Sequence, residues 1–143
     1  MRFLAFSDMH LHPYRGRAES EYRQCFSDIL HSAEAEGCEA IVFAGDLFES
    51  PTLLDSKLLV WVQTELKRVG VPFIACSGNH DNYDLARSST TLSLINDSRG
   101  IYGWKFPEPY FVTFRDITFA VVHFSEDVDR KSTRLNSSHV SQS

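Results

Sequence analysis

The sequence predicts an α/β domain in which a parallel sheet is followed by antiparallel strands. Three observations carry that prediction. Short apolar runs alternate with amphipathic stretches of helical period through residue 76. Each apolar run stops at a polar, mostly glycine-containing cluster. Beyond residue 84 the alternation gives way to strand-like runs joined by a tight polar turn. Alternation of strand and helix is the signature of βαβ units, and a tight turn between two strands marks a hairpin.

The elements follow in order. Arg2–Phe6 is an apolar run ending at Ser7-Asp8 and reads as a strand. From Glu19 to Glu36 the apolar residues Tyr22, Phe26, Ile29, Leu30 and Ala33 fall on one helical face, and Gly37 stops the helix. Glu39–Ala44 is a second buried strand, ended by Gly45-Asp46. Ser56–Val69 is a second amphipathic helix, with Leu58, Leu59, Val62 and Leu66 on one side and Gly70 after it. Pro72–Cys76 is a third strand. Leu85–Ile95 reads as a loop and a short helix, and Tyr110–Phe114 and Ile117–Phe124 read as a hairpin around Arg115-Asp116.

The chain has 143 residues, 43% of them hydrophobic, which suits one domain with a real core. Its formal charge of −5 argues against sequence-independent grip on phosphate backbones, unless acidic residues gather around bound cations that reverse the local sign. Cys25, Cys38 and Cys76 are odd in number and lack metal-type spacing; reduced, partly buried thiols in a cytoplasmic protein are expected. The N-terminus turns polar at once, and no apolar run nears the roughly 18 residues of a membrane span. The last stretch, KSTRLNSSHVSQS, is serine-rich and aperiodic, the composition of a disordered tail. It also resembles a translated sequencing-adaptor segment. The expected organisation is a domain over 1–130, incomplete at its C-terminus, and a disordered or artefactual tail over 131–143.

The three parallel strands end in Ser7-Asp8-Met9-His10, in Gly45-Asp46, and in Gly78-Asn79-His80-Asp81. Ligands of open parallel sheets bind at the carboxyl ends of strands, so these clusters are expected to converge. Singly, Asp-x-His is a common cap and Gly-Asp a common turn. All three together, in order and each at a strand end, point to a site. Carboxylates with imidazoles suit Mn, Fe or Zn. On an extended backbone Asp8 and His10 would point the same way and reach one ion. Asp46, on the middle element, could bridge two ions, and neutral Asn79 suits a place where carboxylates already crowd. His80 would be left to act on a substrate oxygen. Two ions about 4 Å apart would bind phosphate oxygens and supply a hydroxide nucleophile at neutral pH. His80 would protonate the leaving oxygen or stabilise the transition state.

These motifs, DMH at 8–10, GDLFES at 45–50 and GNHD at 78–81, resemble those of the calcineurin-like metallophosphoesterase superfamily. GDLF is frequent in its DNA-repair exonuclease branch, the SbcD- and Mre11-like nucleases. The resemblance implies the N-terminal part of an αββα sandwich. It implies two divalent metal ions, Mn2+ first and Fe or Zn as alternatives, with Asp8 and His10 on the first, Asp46 bridging and Asn79 on the second. It makes His80 the catalytic histidine, held in place by Asp81. It also implies DNA as substrate and an SMC-like ATPase as partner. His123, at the end of a strand, matches the family's later lone histidine and is expected to hold the second metal. His12 is a candidate substrate contact near the mouth of the site.

Two departures stand out. Position 49 is Glu where the family motif often reads GDxxD, and no Gly-His-x-His occurs. The resemblance therefore covers residues 1–125, as a truncated product would. The alternatives are a phosphomonoesterase or cyclic-nucleotide phosphodiesterase with the same metal chemistry, and an inactive fragment with an incomplete site. Outside the motifs, His31 is expected to be solvated on its helix, and Trp61 and Trp104 to serve packing.

Overall fold

A computed structural model describes residues 1–13, 16–83, 90–95 and 109–124. Three parallel strands, β1 (Phe3–Phe6), β2 (Ala40–Phe43) and β3 (Phe73–Ala75), form a sheet in the order β1-β2-β3. Phe3 pairs with Ala40 and Phe6 with Phe43, while Ile41 pairs with Phe73 and Phe43 with Ala75. Helix α1 (Arg17–Ala35) links β1 to β2, and helix α2 (Ser56–Arg68) links β2 to β3. An antiparallel pair, β4 (Tyr110–Phe114) and β5 (Ile117–Val121), forms a separate two-stranded sheet.

Every expected strand and helix over the described residues is present, with ends shifted by at most three residues. The expected last strand stops at Val121 rather than Phe124. Of the expected element over Leu85–Ile95, the described part is one 3-10 turn, Thr91–Leu94. Trp104 and the serine-rich tail lie outside the described residues.

Two-residue alternation sorts the strands between two apolar layers. Ile41, Phe43, Phe73 and Ala75 face the helices and pack with Phe26, Leu30, Leu58, Val62 and Leu66. Ala40 and Ile74 face the other way, against Tyr110, Val112 and Val121 of the hairpin. The parallel sheet is thus covered on both faces, as buried runs such as AIVF require. Trp61 packs on Phe26 with Arg23 over its ring, so its role is packing. Asp55 caps α2 by accepting the Leu58 N–H, and Lys67 and Arg68 stand at the helix's negative end. Cys25 is exposed, against expectation, because it lies on the outward side of α1; Cys38 and Cys76 are half-buried.

Tyr110 ties the two sheets together. Its hydroxyl donates to the Ala75 carbonyl at 2.7 Å, and burial pushes its ionisation up to about 12. Tyr110→Phe would leave that carbonyl short of one partner. It is expected to lower stability by about 1 kcal/mol, read from denaturant midpoints at unchanged slope.

Candidate metal and catalytic site

The loops after β1 and β2 run on together beyond the sheet. Asp8 N–H donates to Gly45 O at 3.0 Å, His10 N–H to Asp46 O at 3.1 Å and Leu11 N–H to Leu47 O at 2.9 Å. Glu49 N–H returns to Leu11 O at 2.9 Å. Met9, Leu11, Leu47 and Phe48 are buried and anchor both loops in the core. The polar residues between them are left at the surface of the strand-end edge.

The backbone that presents them is unusual. Asp8 (φ 56°), His10 (φ 47°) and Asp46 (φ 59°) all adopt the left-handed conformation, which is uncommon for residues with a Cβ. The expectation that Asp8 and His10 project together from an extended backbone is therefore corrected. They converge because each turns left-handed on either side of buried Met9. Such conformations cost on the order of 1–3 kcal/mol each and cluster at functional sites.

Gly45 (φ 103°) and Gly78 let the ends of β2 and β3 meet. A Cβ on Gly45 would lie 2.7 Å from Gly78 N, and one on Gly78 would overlap the Asp46 carboxylate. Gly78→Ala is expected to displace Asp46 and to destabilise the chain by about 1–3 kcal/mol, measured as a lower melting temperature.

Asp81 is fully buried and holds this edge together. Its Oδ2 accepts N–H from Asp46 at 2.8 Å and Gly78 at 2.9 Å, and its Oδ1 accepts from Leu47 at 3.0 Å and Phe48 at 3.3 Å. Burial pushes its ionisation up to about 6, against the pull of these donors. The carboxylate thus fixes the Gly45–Phe48 backbone. The expectation that it positions the His80 ring is corrected: His80 Nδ1 bonds the Glu49 carbonyl at 2.7 Å. A carbonyl can only accept, so Nδ1 carries a proton and Nε2 is the nitrogen that titrates. That bond, reinforced by Asp46, Glu49 and Asp81, raises the His80 ionisation despite partial burial and favours the protonated ring.

The remaining groups gather around these two histidines. The His80 N–H donates to Asp46 Oδ1 at 2.9 Å, which fixes the Asp46 carboxylate. The rings of His10 and His80 meet edge to face, with centroids 4.9 Å apart. His10 Nε2 lies 3.8 Å from Asp8 Oδ1, and Ser7 Oγ donates to Asp8 Oδ2. Asp8, His10 and Asp46 offer ligand atoms that all lie within 4.8 Å of one another, and so do His10, Glu49 and His80. Asp46 follows the middle strand, and exposed Asn79 sits between Gly78 and His80. A set of hard oxygens with imidazole nitrogen fits a divalent transition ion.

Two sequence candidates fall outside these two donor groups. His123 is buried beside Tyr110, its Nδ1 accepting the Ser77 N–H at 3.1 Å. With Nδ1 accepting, the neutral ring carries its proton on Nε2. His123 thus joins the end of β5 to the loop after β3 and belongs to neither of the two donor groups. His12 packs edge to face with Tyr22 of α1, centroids 6.2 Å apart. Glu49 is the residue that sequence reading passed over. It was visible as a departure from the usual motif, but its placement between two histidines depends on the bond to Leu11.

A family model described as calcineurin-like phosphoesterase matches residues 1–137. The chain belongs to this family. Its divalent-metal chemistry agrees with the donor set at the strand ends. The chain is 33% identical over 112 residues to the DNA double-strand break repair protein Mre11 of Aeropyrum pernix, covering 74% of this chain and 26% of that protein. It is 30% identical over 105 residues to the SbcD component of the SbcCD nuclease of Escherichia coli K12, covering 71% of this chain and 24% of that protein. The chain therefore spans about a quarter of the length of these curated relatives. No helix among the described residues is long and apolar enough to cross a membrane.

Proposed function

We propose that this chain carries the metal-binding edge of a nuclease that hydrolyses phosphodiester bonds in DNA. The observation that supports it most is the juxtaposition of Asp8, His10 and Asp46, ligand atoms within 4.8 Å, with a His80 ring already oriented by the Glu49 carbonyl. The relatives named for double-strand break repair and for a nuclease support DNA as the substrate. Asp8 and His10 would hold one divalent ion, Asp46 would be shared, and Asn79 would serve a second; Mn2+ is the ion proposed. When bound, such ions polarise phosphoryl oxygens and lower the pKa of a coordinated water.

The chain's own groups do the rest. The Asp46 carboxylate is held by the His80 N–H, and its backbone by Asp81. The raised ionisation of His80 keeps a proton at Nε2 for the leaving oxygen. His12, beside the His10 loop, would contact the substrate. The family resemblance further suggests an SMC-like ATPase partner, a cytoplasmic location and a metallophosphoesterase domain spanning 1–130.

The test is a substrate panel on the intact protein: linear duplex DNA, a small phosphodiester and a phosphomonoester, each with Mn2+. Preferential duplex cleavage, abolished in Asp46→Asn, is expected. Preference for either small ester would move the protein to another branch of the family, and full activity in Asp46→Asn would remove the assigned site.

A further inference from the structure

We propose that Glu49 is a positioning residue that ties the candidate metal-holding histidine to the candidate catalytic one. The proposal rests on the metal-site reading above. One residue reaches both rings through different groups. Its carboxylate Oε2 lies 2.9 Å from His10 Nδ1, and its carbonyl accepts from His80 Nδ1 at 2.7 Å. The main chain between them is fixed by Glu49 N–H on Leu11 O. The two rings in turn touch edge to face.

The carboxylate contact has a chemical consequence. A carboxylate beside Nδ1 favours the tautomer with hydrogen on Nδ1, leaving the Nε2 lone pair free. Nε2 is the nitrogen nearer Asp8, at 3.8 Å, on the side of the Asp8–His10–Asp46 group. The His10 Nδ1–H does not point squarely at Glu49 Oε2, so the pairing is a close electrostatic contact rather than an aligned hydrogen bond. Catalytic contacts of this kind are commonly loose before substrate and ion arrive. Glu49 therefore selects which His10 nitrogen faces the ion, while its main chain sets the His80 ring. A glutamate suits this double task because its carboxylate can turn back over the His10 loop without moving the backbone that holds His80.

The experiment compares the full wild-type chain with Glu49→Ala, Glu49→Gln and Asp46→Asn. The Glu49 carboxylate is about half exposed, so its variants should fold; circular dichroism checks this. Two quantities are read. The first is the His10 tautomer in the metal-free chain, from imidazole nitrogen and carbon chemical shifts, at a pH that keeps the rings neutral. The second is Mn2+ affinity by calorimetry. Glu49→Ala should shift His10 toward the Nε2–H tautomer and weaken Mn2+ binding about 10–100-fold, the usual effect of losing a histidine's supporting carboxylate. Glu49→Gln keeps an acceptor without the charge and should retain the wild-type tautomer with a smaller loss. An unchanged His10 tautomer in Glu49→Ala overturns the proposal, whatever the affinity does. If Asp46→Asn loses Mn2+ while Glu49→Ala binds as wild type, the Glu49 role fails and the site reading stands. If Asp46→Asn binds Mn2+ as wild type does, the site reading fails, and the His10 tautomer alone decides for or against Glu49.

Discussion

Asp81→Ala is expected to lower stability by about 3–5 kcal/mol, a large share of the roughly 5–15 kcal/mol that a typical domain possesses. The reason is local. The residue is fully buried, and four backbone N–H groups from two different loops converge on its carboxylate. Alanine leaves them without their acceptor and opens a void where the carboxylate was. Asp81→Asn should also destabilise, because its amide turns one acceptor into a donor facing backbone N–H groups. Denaturant titration of both variants measures this, and Mn2+ uptake should fall with stability as the Asp46 backbone loosens.

The same carboxylate gives a pH dependence whose sign can be stated. Its ionisation in the fold is about 6, above its ordinary value of 3.8. The folded chain therefore binds this proton more tightly than the unfolded chain does. The proton-linked component of stability at Asp81 is fully present below about 3.8 and is lost as pH rises through about 6, on top of what its hydrogen bonds contribute. Stability measured between those values should decline with pH in wild type, and that component should vanish in Asp81→Asn.

His80→Ala should lower turnover by about 10²–10⁴-fold through loss of its general acid. Its Nδ1 is committed to the Glu49 carbonyl, leaving Nε2 as the proton donor, and the raised ionisation keeps that donor charged closer to neutral pH. His80→Asn should recover little, since it cannot donate a titratable proton. Rates of duplex hydrolysis by the intact protein, at saturating metal and substrate, separate this chemical defect from weaker binding. Equal rates in wild type and His80→Ala would remove His80 from the chemistry.

The helices and strands were legible because each rests on a local signal: the apolar face of Phe26, Leu30 and Ala33, the short buried run AIVF, the stops at Gly37 and Gly70. The convergence of the three clusters was legible because parallel strands align their carboxyl ends. The details were not, since they depend on partners distant in sequence. The left-handed turns at Asp8, His10 and Asp46 are held by bonds between two loops, and nothing in DMH or GD alone announces them. The resemblance implied that Asp81 held the neighbouring His80 ring. The N–H groups it accepts from lie 33–35 residues away on the neighbouring loop, apart from Gly78. His123 resembled a ligand by its place at a strand end. Its bond to Ser77, 46 residues earlier, could not be read from the strand end.

The most direct measurement of the central claim is the metal dependence of duplex DNA cleavage by the intact protein. Cleavage should stop when a chelator strips divalent ions and return on addition of Mn2+, with Asp46→Asn silent throughout. Cleavage that persists at an undiminished rate in the chelated protein would contradict a metal site formed by Asp8, His10, Asp46 and Asn79.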